Sequence, residues 1–274
     1  MFNGCTDLIR APKLPATSLS SRCYDYMFYG CTSLFEAPEL PAITLAEYCY
    51  NGMFYGCTNL TTAPELPAIT LAEYCYQHMF YGCTALTTAP ELPATTLARY
   101  CYGSMFYGCT NLNVAPELPA TTLAYRCYTN MFHDCTYLTE SPELPATTLV
   151  EDCYSYMFYG TNALPDCSNI DFTSQSVVNS QGLDGLFAGT KVTDNDLRNI
   201  LPINPNTNKY YLPVTSLSYS CYRDMFNGCT SLTTAPELPA TTLAQFCYAS
   251  MFSGCTNLNV APELPATTLV NYCY

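Results

Sequence analysis

Thiols offer this chain its widest choice of chemistry: eighteen cysteines among 274 residues invite a disulfide framework, a metal site or a nucleophile. Cys5, Cys31, Cys57, Cys83, Cys109, Cys135, Cys229 and Cys255 form one series. Cys23, Cys49, Cys75, Cys101, Cys127, Cys153, Cys221, Cys247 and Cys273 form a second, and the gaps between the two alternate between 8 and 18 residues. No CxxC pair occurs, so a zinc ribbon lacks its ligand spacing. Eight residues along a helix span about 12 Å, too far for a bridge inside one repeat. Equivalent cysteines of neighbouring repeats would stand ~5 Å apart with parallel, not facing, Cβ vectors. The spacing therefore favours buried free thiols packed as small hydrophobes, over disulfides or a soft Cys/Met metal site.

General acid–base chemistry has little to work with. His78 and His133 are the two histidines, each at a variable repeat position without a recurring acidic or nucleophilic partner. No phosphate-cradling glycine loop or dinucleotide fingerprint appears. The expectation is a non-enzyme with no catalytic residue, no cofactor and no metal. Carboxylates recur instead: Glu39, Glu65, Glu91, Glu117, Glu143, Glu237 and Glu263 share one phase, with Lys13 taking it first. Stacked ~5 Å apart in water, neighbours repel by roughly 0.8 kcal/mol, which is tolerable only when exposed. They read either as a solvated rim or as an acidic stripe for a cationic or calcium-bridged partner. Tyr24, Tyr50, Tyr76, Tyr102, Tyr128, Tyr154, Tyr222, Tyr248 and Tyr274 form an aromatic series. Stacking between repeats with hydroxyls in water is its simplest role, and a carbohydrate platform is the alternative. Paired threonines such as Thr95-Thr96 do not make one flat face, which argues against an ice-binding array.

All these series share a 26-residue period. Met-Phe recurs at Met1, Met27, Met53, Met79, Met105, Met131 and Met157, then at Met225 and Met251, with Leu186-Phe187 as a stand-in. One full turn runs from Met53 to His78 as MFYGCTNLTTAPELPAITLAEYCYQH. Thr70 and Glu73 form a capping box ahead of Leu71–Tyr81, repeated by Thr44 with Glu47 and Thr148 with Glu151. Leu71, Cys75, Met79 and Cys83 step by four, Phe80 flanks them and Gly82 closes the segment, which predicts a short helix. Leu60–Pro67 is expected to hold a parallel strand of about three residues that ends or bulges at Pro64, because proline donates no ladder bond. The fold expected is α/β: a single curved solenoid over 1–274 of about ten turns, each a short parallel strand plus a short helix.

The series CTNLTTAPELPATTLAEYCYNGMFYGCT resembles the BspA-like class of leucine-rich repeat, in which an Ala-Phe pair precedes a Cys and a Leu. Here Met79-Phe80, Cys83 and Leu86 take those places, and an added Pro-Glu lengthens the repeat. The resemblance spans nearly the whole chain. It implies a bacterial cell-surface or secreted protein that binds extracellular or host proteins.

Composition bounds the partners. A net charge of −13 argues against nucleic acid and anionic lipid, and no apolar run is long enough for membrane insertion. The opening MFNGCT already stands mid-motif, as in a fragment or a chain whose leader has been removed. Positions that vary from turn to turn, such as Phe35-Glu36, Thr61-Thr62 and Thr139-Glu140 or Glu73-Tyr74 and Arg99-Tyr100, mark surface, shaped by selection or by drift. The least regular stretch, 157–224, holds two degenerate turns. Thr193 and Asp196 are placed to cap a helix through DLRNIL, and a loop, INPNTNKYYLP, lengthens its turn to 39 residues. Asp194 and Asp196 do not complete a calcium loop. Candidate binding residues are Glu39, Glu65, Glu91, Glu117 and Glu143, with Asn206, Lys209, Tyr210 and Tyr211 on the long loop. A protein-binding adhesion scaffold and a structural spacer that self-associates end to end remain the two functional readings.

Overall fold

The structure, a computed structural model, describes residues 1–138, 140–161, 182–213, 215 and 217–274. Thr139, Cys167 and most of the first degenerate turn lie outside the described residues.

The segment expected to be a helix in each turn is something else. In Ala46–Cys57, every second amide bonds to the next turn: Tyr48 donates to the Glu73 carbonyl at 3.2 Å, Tyr50 to Cys75 at 3.0 Å, Gly52 to Gln77 at 2.7 Å and Phe54 to Met79 at 2.9 Å. The intervening amides reach three residues back within their own turn, Cys49 to Ala46 at 3.2 Å and Met53 to Tyr50 at 3.2 Å. Every fourth residue turns left-handed, with φ of 57° at Tyr48, 54° at Gly52 and 70° at Gly56. The run is thus a chain of four-residue turns, stitched laterally to both neighbours. Its sequence explains the choice. Cys49-Tyr50, Met53-Phe54 and Cys57 repeat by four, and a 3.6-residue helix would rotate Cys57 ~80° away from Cys49. A four-residue turn keeps all five on one side, and all are buried. Left-handed backbone at a non-glycine costs roughly 1–2 kcal/mol. Lateral hydrogen bonds, each contributing roughly 1 kcal/mol net, offset it.

Inside, identical residues stack along the axis. Phe28, Phe54, Phe80, Phe106, Phe132 and Phe158 follow one another at 5.6–5.8 Å with nearly parallel rings. Tyr50, Tyr76, Tyr102, Tyr128 and Tyr154 do the same at 5.8–5.9 Å. Each of these five tyrosines is only 1% exposed, so their hydroxyls, expected in water, are instead in the core and their ring faces are closed to a carbohydrate, while Tyr274 at the end of the series is 37% exposed. The described cysteines are all free, and all but Cys5 and Cys23 are buried. The Cys57 thiol donates to the Phe28 carbonyl at 3.2 Å, Cys83 to Phe54 at 3.1 Å and Cys109 to Phe80 at 3.0 Å. Cysteine here ties each turn to its predecessor.

The other half of the turn carries single-residue parallel bridges on either side of the Ala-Pro-Glu-Leu-Pro segment. Arg10, Glu36 and Thr62 pair on one side, and Ser18, Thr44 and Thr70 on the other. Among the described residues no pairing is longer than such a bridge, because the intervening prolines supply no amide.

In the irregular region the expected capped helix is present. Helix α1 spans Asp194–Ile200, and Thr193 forms a reciprocal capping box with Asp196. Phe187 stacks on Phe226 at 6.0 Å, so a 39-residue turn is absorbed without breaking the phenylalanine column. The extra residues form a hairpin in which Ile203 bridges Tyr210 in antiparallel fashion and Asn204 N–H donates to the Lys209 carbonyl at 2.8 Å.

Candidate binding surface

The two faces of the solenoid differ in what they leave open. On the turn face, positions that vary in sequence are matched across turns. The Arg22 guanidinium lies 3.9 Å from the Tyr48 ring centroid, Tyr48 stacks on Tyr74 at 4.4 Å, and Tyr74 on Tyr100 at 4.7 Å. Arg126 then donates to the Tyr100 hydroxyl at 2.9 Å and to the Asp152 carboxylate at 2.7 Å. Nearby, Tyr29, Tyr55, Tyr81, Tyr107, His133 and Tyr159 form a second ribbon at 4.1–4.9 Å. His133 is held inside this stack and His78 packs edge-on to Tyr55 and Tyr81. Burial lowers the pKa of both imidazoles, and for His133 Asp134 pulls against it. Burial also pushes the Cys57 and Cys109 thiols up to about 12, far from the range of a nucleophile.

On the opposite face the Ala-Pro-Glu-Leu-Pro segments leave grooves. One of about 310 Å³ lies between Arg10–Pro15 and Glu36–Pro41. The next, about 370 Å³, lies between Ala37–Pro41 and Pro64–Pro67, followed by about 390 Å³ between Ala63–Pro67 and Pro90–Pro93. Consecutive grooves share a wall, so they join into a trough along the axis. Further along, Val114–Pro119 and Glu140–Pro145 enclose about 490 Å³. Buried Leu40, Leu66, Leu92, Leu118 and Leu144 pin each segment from below, while Glu39, Glu65, Glu91, Glu117 and Glu143 are exposed. None of these five carboxylates is engaged in a hydrogen bond or ion pair among the described residues. The structure thus places the five sequence-selected glutamates on consecutive turns, Glu39, Glu65 and Glu91 along the joined grooves and Glu117 and Glu143 on the groove beyond them.

The four loop residues separate. Asn206 is exposed at the hairpin tip. Lys209 is exposed and lines a groove of about 200 Å³ with Thr234–Pro239 and Val260–Pro265. Tyr211 stands half-exposed, bridged in parallel to Glu237. Tyr210 is a correction: it is 1% exposed, its hydroxyl donates to the Thr234 carbonyl, and Arg198 covers its ring at 5.7 Å. An aromatic ring where the regular turn has proline fills the core, so it is unavailable to a ligand. Sequence reasoning missed Asn204, whose amide donates 2.7 Å to the Glu237 carboxylate. A signal for it existed, since Lys209–Pro213, KYYLP, stands 26 residues before APELP at Ala235–Pro239. There Glu237 N–H donates to the Tyr210 carbonyl at 2.9 Å and Leu212 N–H to the Glu237 carbonyl at 3.1 Å, which closes that junction.

A family model described as BspA type leucine-rich repeat region matches in six copies over residues 1–113 and 48–181. The chain belongs to the BspA-type leucine-rich repeat family. Among solved structures it is similar to a leucine-rich repeat protein from Bacteroides ovatus, at 17% identity over 94% of this chain and 79% of that one, with a TM-score of 0.36. It is also similar to a leucine-rich cell surface protein from Faecalibacterium prausnitzii, at 16% identity over 85% of this chain and 73% of that one, TM-score 0.32. No curated protein matches the chain. BspA-type repeats form scaffolds, and among the described residues no helix is long and apolar enough to cross a membrane.

Proposed function

We propose that this BspA-type array is a non-catalytic recognition scaffold of a bacterial surface or secreted protein, and that the Pro-Glu trough is its contact face for an extracellular or host protein. The observation that carries this is the contrast between the faces. Along the turn run the backbone amides bond alternately within and between turns, and the surface rings are stacked on one another. Across the trough, the Pro-Glu-Leu-Pro segments leave open volume and five carboxylates without a protein partner. A rigid scaffold of this kind loses little entropy on binding. The experiment is capture of the purified chain by immobilised extracellular matrix proteins and intact cells, with Glu65→Lys/Glu91→Lys/Glu117→Lys as the trough variant. Loss of capture in that variant, with Glu73→Lys on the turn face unaffected, is expected. Equal capture by the wild-type chain and the trough variant would refute the assignment of the face.

The unbroken lateral bonding of the turn face favours a second reading, a spacer that associates end to end. Concentration-dependent growth in light scattering, with no capture by any surface, would favour it.

A further inference from the structure

From the trough just assigned, and resting on that assignment, we infer the chemistry of the partner: an extended basic segment of a protein, about six residues long, lying along the solenoid axis over Glu39–Glu143. The chain itself shows what suits this face. At the one turn where its own hairpin reaches the trough, Glu237 accepts from the Asn204 amide at 2.7 Å and is half-buried. Bonds from Thr207 and Asn204 and the nearby Lys209 ammonium hold its carboxyl below the usual glutamate range. A hairpin carrying amide, hydroxyl and lysine groups is thus the occupant already present at Glu237.

Among the described residues no side chain bonds to Glu39, Glu65, Glu91, Glu117 or Glu143. The grooves between Ala37 and Pro93 and between Val114 and Pro145 are lined by Ala, Val, Ser, Pro, Leu and Glu, with no lysine or arginine, while Arg10 and Lys13 line the groove on the other side of Glu39. Glu140 adds a further carboxylate to the groove between Val114 and Pro145. Lys209 lines the groove at Glu237 and Glu263. Proline rings and leucine edges suit the methylene stem of lysine or arginine, whose charged head then reaches the carboxylate rim. Among the described residues no three acidic, thiol or imidazole groups converge tightly enough to hold a metal ion. Turns ~4.8 Å apart place Glu39 and Glu143 about 19 Å apart, which an extended strand covers in about six residues at ~3.3 Å each. Polypeptide fits that length and the narrow, apolar floor.

The test uses the full chain and a fluorescein-labelled hexapeptide alternating lysine and threonine, followed by anisotropy. Binding is expected to weaken at least tenfold between about 50 mM and about 300 mM salt, as the Debye length shortens. Glu65→Gln/Glu91→Gln/Glu117→Gln should weaken it at least tenfold, whereas Glu47→Gln/Glu73→Gln/Glu151→Gln, which removes equal charge from the turn face, should change it less than threefold. Far-UV circular dichroism and melting of both variants confirm that each remains folded. Equal losses in the two variants, equal binding of a glutamate–threonine hexapeptide, or no binding at all would overturn the inference. If the chain is captured by a matrix protein through the trough while the basic hexapeptide fails to compete, the contact face stands and the basic-segment assignment falls.

Discussion

Asp184→Asn is expected to stabilise the protein in alkaline solution and to leave it nearly unchanged in acid. Asp184 is 2% exposed and one of its carboxylate oxygens, Oδ1, lacks a hydrogen-bond partner. Burial raises its pKa to about 7, with Asp224 and Asp152 adding to the rise and Arg223 and Tyr156 opposing it. Neighbouring charges are already committed: Arg223 pairs with Asp224 at 3.0 Å, Tyr156 donates to Asp224 at 3.1 Å, and Arg126 pairs with Asp152 at 2.7 Å. The folded carboxyl therefore holds its proton over a range in which the unfolded one has lost it. Stability falls as pH rises from about 4 to about 7 and then levels off. A rise of roughly three pH units corresponds to at most about 4 kcal/mol, and relaxation with water entry reduces the observed figure to about 2 kcal/mol. Asparagine keeps the shape without the charge, so the variant should gain that amount at pH ~8 and almost nothing at pH ~4. Urea unfolding of both proteins across this range provides the measurement. A variant equally or less stable at pH ~8, or a gain independent of pH, would refute the reasoning.

Three further perturbations address the packing. Under native conditions, iodoacetamide should label Cys5 and Cys23 within minutes and leave Cys57, Cys83 and Cys109 untouched until the chain is denatured, as read by mass spectrometry, because burial both excludes the reagent and raises the thiol pKa. Gly52→Ala should cost about 2 kcal/mol in urea unfolding, because φ is +54° there and the Tyr26 ring occupies the place of a Cβ; shortening Tyr26 to alanine in the same chain should recover part of the loss. Arg126→Ala should cost about 3 kcal/mol in urea unfolding at neutral pH, since it strands the buried Asp152 carboxylate without its 2.7 Å partner.

The period, the buried thiols, the capped helix α1 and the exposed glutamate series were legible in the amino-acid sequence, because each depends on local chemistry repeated at a fixed interval. The turn run was not read correctly. Spacing of four, as in Leu71, Cys75, Met79 and Cys83, suits an α-helix for two turns and a four-residue turn indefinitely. The adjacent pairs Cys75-Tyr76 and Met79-Phe80 carry the distinction, since both members of each pair are buried. Tyr26 over Gly52 and Tyr156 over Gly185 show a further signal, a ring in one turn opposite glycine in the next, that only lateral stacking makes meaningful. The trough itself was hidden because it arises from what neighbouring prolines fail to pair, and so from two turns together. Tyr210 was misplaced for the same reason: its role follows from standing 26 residues before Pro236.

Hydrogen exchange on the full chain, with and without the basic hexapeptide, tests the central claim that the turn face is sealed and the Pro-Glu trough receives the partner. Tyr50 and Phe54 amides, bonded to the next turn at 3.0 and 2.9 Å, should exchange slowly in both states. Amides of Glu65, Leu66, Glu91 and Leu92, which no inter-turn bond engages among the described residues, should exchange quickly in the free protein and become protected when the peptide binds. Rapid exchange along Ala46–Cys57, or peptide-induced protection confined to the turn face, would contradict the account.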